Sequence, residues 1–202
     1  MTYHSDLSEF KEWIKYVDPA ITYSNYSEFK TQWIKYMNPS ITYSEDIVNN
    51  LNISNDDKDF LINVGFPKNC SPFLIFQSLS EGAFLPLTKK FNLKDEYYND
   101  FFYIGFNNEL DIITIENTSS QIKCIDFQSF EELYVNNSIL TFAESLLQYF
   151  IFIRKVNGPC AYLRENCPPT EIQLLKNSLN NIDNSSLLKD TFWGEEITKF
   201  YI

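Results

Sequence analysis

The sequence predicts an α+β domain: a meander of strands with helices before it and a broad helix covering it. Three β-branched and aromatic runs carry the prediction, at 97–106, 110–117 and 121–127, separated only by Asn107-Asn108 and Thr118-Ser119-Ser120, as consecutive hairpins require. A long apolar stripe at helical spacing follows over 137–154, wide enough to lie across a sheet. The 202 residues, 44% hydrophobic and 17% aromatic, suit one folded domain with at most an appendage.

Taken in order, the chain opens by stating one segment twice. "SEFKEWIKYVDPAITYS" begins at Ser8 and "SEFKTQWIKYMNPSITYS" at Ser27. Both read as short amphipathic helices, with Asp6-x-x-Glu9 and Asn25-x-x-Glu28 as capping boxes. Phe10, Trp13, Ile14 and Val17 form the first stripe; Phe29, Trp33, Tyr36 and Met37 form the second. Each helix stops before a proline, Pro19 or Pro39, and "ITYS" follows as an extended piece. The second copy has one extra residue before its tryptophan, which rotates its stripe by about 100° there.

Ser54 caps the next predicted helix, with Phe60, Leu61 and Val64 inward and Gly65 then Pro67 as the stop. Residues 70–76 read as one strand after a turn, and 82–87 as an edge strand or bend, since Pro86 cannot donate to a ladder. Within the meander, Ile113 and Ile115 alternate with Ile112 and Thr114, and Ile122 and Cys124 with Lys123 and Ile125. That alternation predicts one buried and one wet face. Gly105 reads as a strand-end glycine for a bulge or close backbone approach, with ligand contact as the other reading. The 137–154 helix closes with "NGPC", and two further helices, 168–183 and 191–202, complete the same domain.

The net charge of −11 is concentrated. Residues 95–136 hold nine acids against Lys123 alone, −8, and the other three stretches of the chain carry −1 each. Such a field repels nucleic acid and anionic membranes and speeds encounter with a basic partner, or simply keeps the chain soluble. No apolar run is long enough to span a bilayer, and the opening residues lack the basic and apolar regions of a secretory signal, so the expected location is cytoplasmic. There Cys70, Cys124, Cys160 and Cys167 read as reduced core residues.

Known chemistries find little purchase. The cysteine spacing matches no zinc pattern, and His4 is the single histidine, which leaves no triad and no Cys/His metal site. Five glycines are scattered singly, with no phosphate loop and no nucleophile elbow. Glu131-Glu132 and Glu195-Glu196 read as solvated faces rather than acid/base pairs. No catalytic residue, metal or cofactor is expected, and the chain is not expected to be an enzyme. A carboxylate cage for Mg²⁺ or Ca²⁺ in the acidic stretch is the one enzymatic alternative.

"FLINVGFP" at 60–67, "YIGFNNELDIITI" at 103–115 and "VNNSILTFAESLLQYF" at 135–150 follow one another within a run from Phe29 to Phe152. In order and spacing this run resembles the fourth group of the SUKH superfamily, bacterial immunity proteins related to the SMI/KNR cell-wall regulators. The resemblance implies a SUKH-like α+β fold, with a mixed or antiparallel sheet backed by helices. It makes Gly65, Pro67 and Gly105 structural and packs Leu146 and Phe150 on the sheet. It also implies a cytoplasmic antidote that binds and blocks a cognate toxin, often a nuclease or deaminase. Such toxins tend to be basic, which selects Glu109, Asp111, Asp126, Glu131 and Glu132 as the expected partner contacts. A regulatory scaffold of the same fold binding an endogenous protein is the alternative. The resemblance begins near the second copy, so residues 1–24 read as an N-terminal extension and 25–202 as the immunity domain. The first copy is then either a duplicate able to compete for the groove of the second, within the chain or on a neighbour, or a silent tandem duplication.

Overall fold

Every strand of the sheet pairs with its neighbours in sequence. The computed structural model describes residues 25–157 and 167–201, so the first copy, Cys160 and most of "NGPC" lie outside the described residues. Six antiparallel strands run in the order β1 (Asn69–Cys70), β2 (Leu74–Phe76), β3 (Phe101–Phe106), β4 (Ile112–Glu116), β5 (Ile122–Ile125) and β6 (Glu132–Asn136). The architecture is α+β, as the patterning predicts, and the sheet is antiparallel throughout rather than mixed.

Helix α1 (Tyr26–Met37) begins where Asn25, in extended backbone, accepts a 3.0 Å bond from the Glu28 N–H, and ends at Asn38 in the left-handed region before Pro39. It buries Phe29, Trp33 and Met37, and the Trp33 indole N–H donates to the Gly65 carbonyl at 3.0 Å. Ile41 then bridges Phe66 in antiparallel fashion. A short helix α2 (Glu45–Val48) leads to α3 (Asn55–Asp59), capped by Ser54 Oγ, which accepts from the Asp57 N–H. The predicted helix widens into a π-helical turn over Phe60–Val64, which still turns Phe60, Leu61 and Val64 inward and ends at Gly65. Asp57 is 2% exposed because its Oδ1 accepts from the Leu140 N–H at 2.8 Å, which caps a helix more than eighty residues away.

Three expectations about the sheet need correction. Residues 70–76 are not one strand: Ser71-Pro72-Phe73 turns the chain between β1 and β2, with a cis Ser71-Pro72 bond and Phe73 at φ 59°. The second face is not wet. Ile113, Ile115, Ile122, Cys124 and Val135 face the main core, while Phe101, Tyr103, Ile112 and Ile125 face a smaller one closed by Leu87, Phe91, Leu93, Tyr98 and Phe130. These lids come from α4 (Leu87–Phe91), from the 3₁₀ turn over Glu96–Asp100 and from loops beside them. Thirdly, β6 begins inside the supposedly solvated Glu131-Glu132 pair. Gly105 has the structural role expected: the register shifts between Tyr103 and Gly105, and an added Cβ would lie 2.5 Å from the Ile75 carbonyl oxygen. Residues 82–87 form the bend of the two readings and not an edge strand: 82–84 turn, Pro86 makes one isolated bridge to Phe102, and Leu87 already begins α4.

The broad helix is α5 (Ile139–Asn157), and it lays Ile139, Phe142, Leu146 and Leu147 on the main face. Helix α6 (Pro169–Ile182) packs along it, and α7 (Phe192–Thr198) packs against β6. A buried polar network joins these layers. Trp193 Nε1 donates to Asn136 Oδ1 at 2.9 Å, and Asn136 Nδ2 donates to Ser145 Oγ. Asp183 Oδ2 accepts from the Tyr134 hydroxyl at 2.6 Å and from the Asn137 N–H at 2.9 Å.

On α5, burial pushes the Glu144 carboxyl from its ordinary 4.5 up to about 7. Between those values the folded chain holds a proton that the unfolded chain has released, so stability falls as pH rises through the window. Glu144→Gln is therefore expected to flatten the pH profile and to add about 2 kcal/mol at pH 8. Urea titrations of both proteins at pH 5 and pH 8 measure this, and equal pH slopes would contradict it.

Candidate partner-binding surface

Two hairpin turns at one end of the sheet carry four of the five predicted contact residues, and the fifth, Glu132, opens β6 beside the second turn. The pairing of Ile112 with Ile125 brings Asp111 and Asp126 to adjoining strand ends, and Glu132 pairs with Ile125. The antiparallel meander places the 107–111 and 126–131 turns together and sends the 117–121 turn to the far end.

Each turn is fastened by an Asx side chain, for the reason that Asn and Asp can imitate a backbone acceptor. Asn107 is 8% exposed; its Oδ1 accepts from the Glu109 and Asp111 N–H groups, both at 2.9 Å, and its Nδ2 donates to Asp111 Oδ2. Asp126 Oδ1 accepts from the Gln128 and Ser129 N–H groups at 2.7 and 2.6 Å, and these bonds hold its carboxyl below the usual range. Both turns close through a residue in the left-handed region, Leu110 at φ 71° and Phe130 at φ 59°. Asp111 and Asp126 are thus fastened by their own turns, whereas Glu109 and Glu131 project into solvent. Glu132 is different again: it accepts from the Tyr97 hydroxyl, and burial together with that bond pushes Tyr97 up to about 12.

Sequence reasoning missed the apolar half of this surface. Leu110 is 62% exposed and Phe127 44% exposed, one on each turn, and the Phe127 ring rests 5.6 Å from Phe91. The signal was present, since a large apolar residue stands inside each polar turn segment, "NNELD" and "DFQSFE". The acidic stretch, in turn, is less unified than its composition implies. Asp95 caps the Tyr97 N–H, Asp100 accepts from Thr118 N–H, and Glu116 accepts from Ser119 and lies 3.9 Å from Lys123.

Helix α7 adds a carboxylate to the same end. Burial first, then Glu196, Asp190 and Asp111, raise the Glu195 carboxyl against the opposing pull of Lys199. Glu195 is exposed as expected, but Glu196 is not a solvated residue: it is 5% exposed, accepts from the Tyr149 hydroxyl at 3.3 Å and pairs with Lys199 at 2.6 Å. Trp193 and Ile197, at helical spacing around it, turn that face of α7 inward.

A cleft of 330 Å³ lies beside the first turn, between the β1–β2 hairpin and α5, and is lined by Met37, Cys70, Phe73, Asn108, Phe150 and Arg154. The Arg154 guanidinium sits 4.9 Å over the Phe150 ring. Burial pushes the Cys70 thiol well above its ordinary range, so it is a poor nucleophile. Cys70 and Cys124 are buried free thiols. Among the described residues, no group of three or more His, Cys, Asp or Glu side chains could hold a metal ion, and no helix is long and apolar enough to cross a membrane. No family model, curated protein or solved structure matches this chain.

Proposed function

We propose that the chain is an immunity protein of the SUKH kind, which binds a basic toxin domain of nuclease or deaminase type through the acidic end of its sheet. It acts by occlusion and not by catalysis. The observation that carries this reading is the pair of fastened turns, each presenting an exposed apolar side chain, Leu110 or Phe127, among carboxylates. An apolar anchor that is already ordered loses little entropy on binding, and a surrounding ring of one charge steers the opposite charge onto it. Carboxylates also imitate the phosphates that a nucleic-acid-directed enzyme must attract.

The experiment uses the basic toxin domain encoded beside the gene as the partner. Glu109→Lys/Glu131→Lys alters two exposed side chains that take no part in fastening the turns. It is expected to slow association about 10–100-fold at low salt and to reduce the salt dependence, with the thermal midpoint unchanged. Leu110→Asp is expected to act on dissociation instead. No complex at micromolar concentration, or unaltered association of the charge variant, would contradict the proposal.

A further inference from the structure

The groove that holds residues 25–44 is defined by a handful of contacts, and residues 6–24 carry the groups for nearly all of them. Trp33 donates to the Gly65 carbonyl, Ile41 bridges Phe66, and the Tyr43 hydroxyl donates to the Gln77 carbonyl at 3.1 Å with its ring 4.6 Å from Phe84. Trp13, Ile21 and Tyr23 stand at the matching places of the first copy, and Phe10, Lys11 and Pro19 match Phe29, Lys30 and Pro39. Phe10 and Trp13 are three residues apart where Phe29 and Trp33 are four apart, and both spacings fall on one helix face.

We propose that residues 6–24 are an alternative occupant of this groove, exchanging with residues 25–44 of the same chain. The two copies end alike, at Ser24 and Ser44. With the first copy seated, residues 25–44 leave as a loop whose ends adjoin, and loop closure costs rise only logarithmically with length. The structure explains why the second copy holds the groove. Tyr26 donates to Asp59 at 2.8 Å where the first copy has Leu7, and Met37 fills more space than Val17. The margin is narrowed by Gln32, whose Oε1 is buried without a hydrogen-bond partner. The first copy has only Glu12 where α1 has Thr31 and Gln32.

Three variants of the full chain test the exchange: Trp13→Ala, Trp33→Ala and the double. Trp13→Ala is expected to be silent and the double to lower the thermal midpoint by about 10 °C, whereas Trp33→Ala loses less than half of that. In Trp33→Ala, protection from hydrogen exchange should move from 25–44 to 6–24 at every protein concentration. Trp33→Phe with and without Trp13→Phe gives the same comparison if the alanine variants do not fold. A Trp33 variant as destabilised as the double overturns the proposal. So does a rescue that grows with concentration, which would seat the first copy on a second molecule.

Discussion

Gly65→Ala is expected to cost more than about 4 kcal/mol and to leave little folded protein at 37 °C. Gly65 has φ 77° and ψ −168°, a conformation that side chains other than glycine's hydrogen do not tolerate. Space is lacking too: an added Cβ would overlap the Ile41 carbonyl oxygen and lie 2.8 Å from its carbon and 3.1 Å from Thr42 Cγ2. The obstacle is backbone that cannot step aside. The Ile41 carbonyl accepts from the Phe66 N–H at 2.9 Å, and the Gly65 carbonyl accepts the Trp33 indole. Any relief therefore breaks the bridge that seats α1 on the core. A urea midpoint close to that of the parent would refute this account.

Asp183→Ala is expected to cost about 3–5 kcal/mol, by removing a charged acceptor on which buried donors converge. The Tyr134 hydroxyl and the Asn137 N–H lose their partner, Asn136 Nδ2 loses a 3.4 Å contact, and the Ser185 N–H loses Oδ1. Asp183→Asn keeps an acceptor but adds a donor, so it should fall between parent and alanine. The loss should be local in character: hydrogen exchange should speed first in α6 and α7, which the network ties to β6. Uniform loosening of the whole chain would argue that the network merely adds stability.

How far the sequence could be read follows from the range of each cause. Capping, helix stops and strand alternation are local, and Asn25, Ser54, Gly65 and the three central runs could be recognised because each signal lies within a few residues. Asp57 could not be assigned to Leu140, nor Asn136 to Trp193, because those bonds join segments far apart in the chain. For the same reason β6 was missed: "ELYVN" places two buried residues, Val135 and Asn136, side by side at a register shift, and so breaks the alternation that marks a strand. The second face looked wet because its covering residues, Leu87, Phe91 and Tyr98, come from short irregular pieces with no periodicity of their own. At the candidate site the carboxylates were visible as composition. Their division between the two ends of the sheet, and the apolar anchors among them, depend on hairpin register.

The margins of the sheet limit how another protein can attach. On one side the last strand, β1, is two residues long, and on the other Thr191 bridges Tyr134 of β6. Among the described residues, a visiting chain finds no long row of unsatisfied amides on which to extend the ladder. Recognition by strand addition, and the ribbon-like self-association that such margins invite, are both disfavoured. What this molecule offers a visitor is its turn tips, so discrimination between partners rests on side chains that can be exchanged singly while the ladder behind them stays intact.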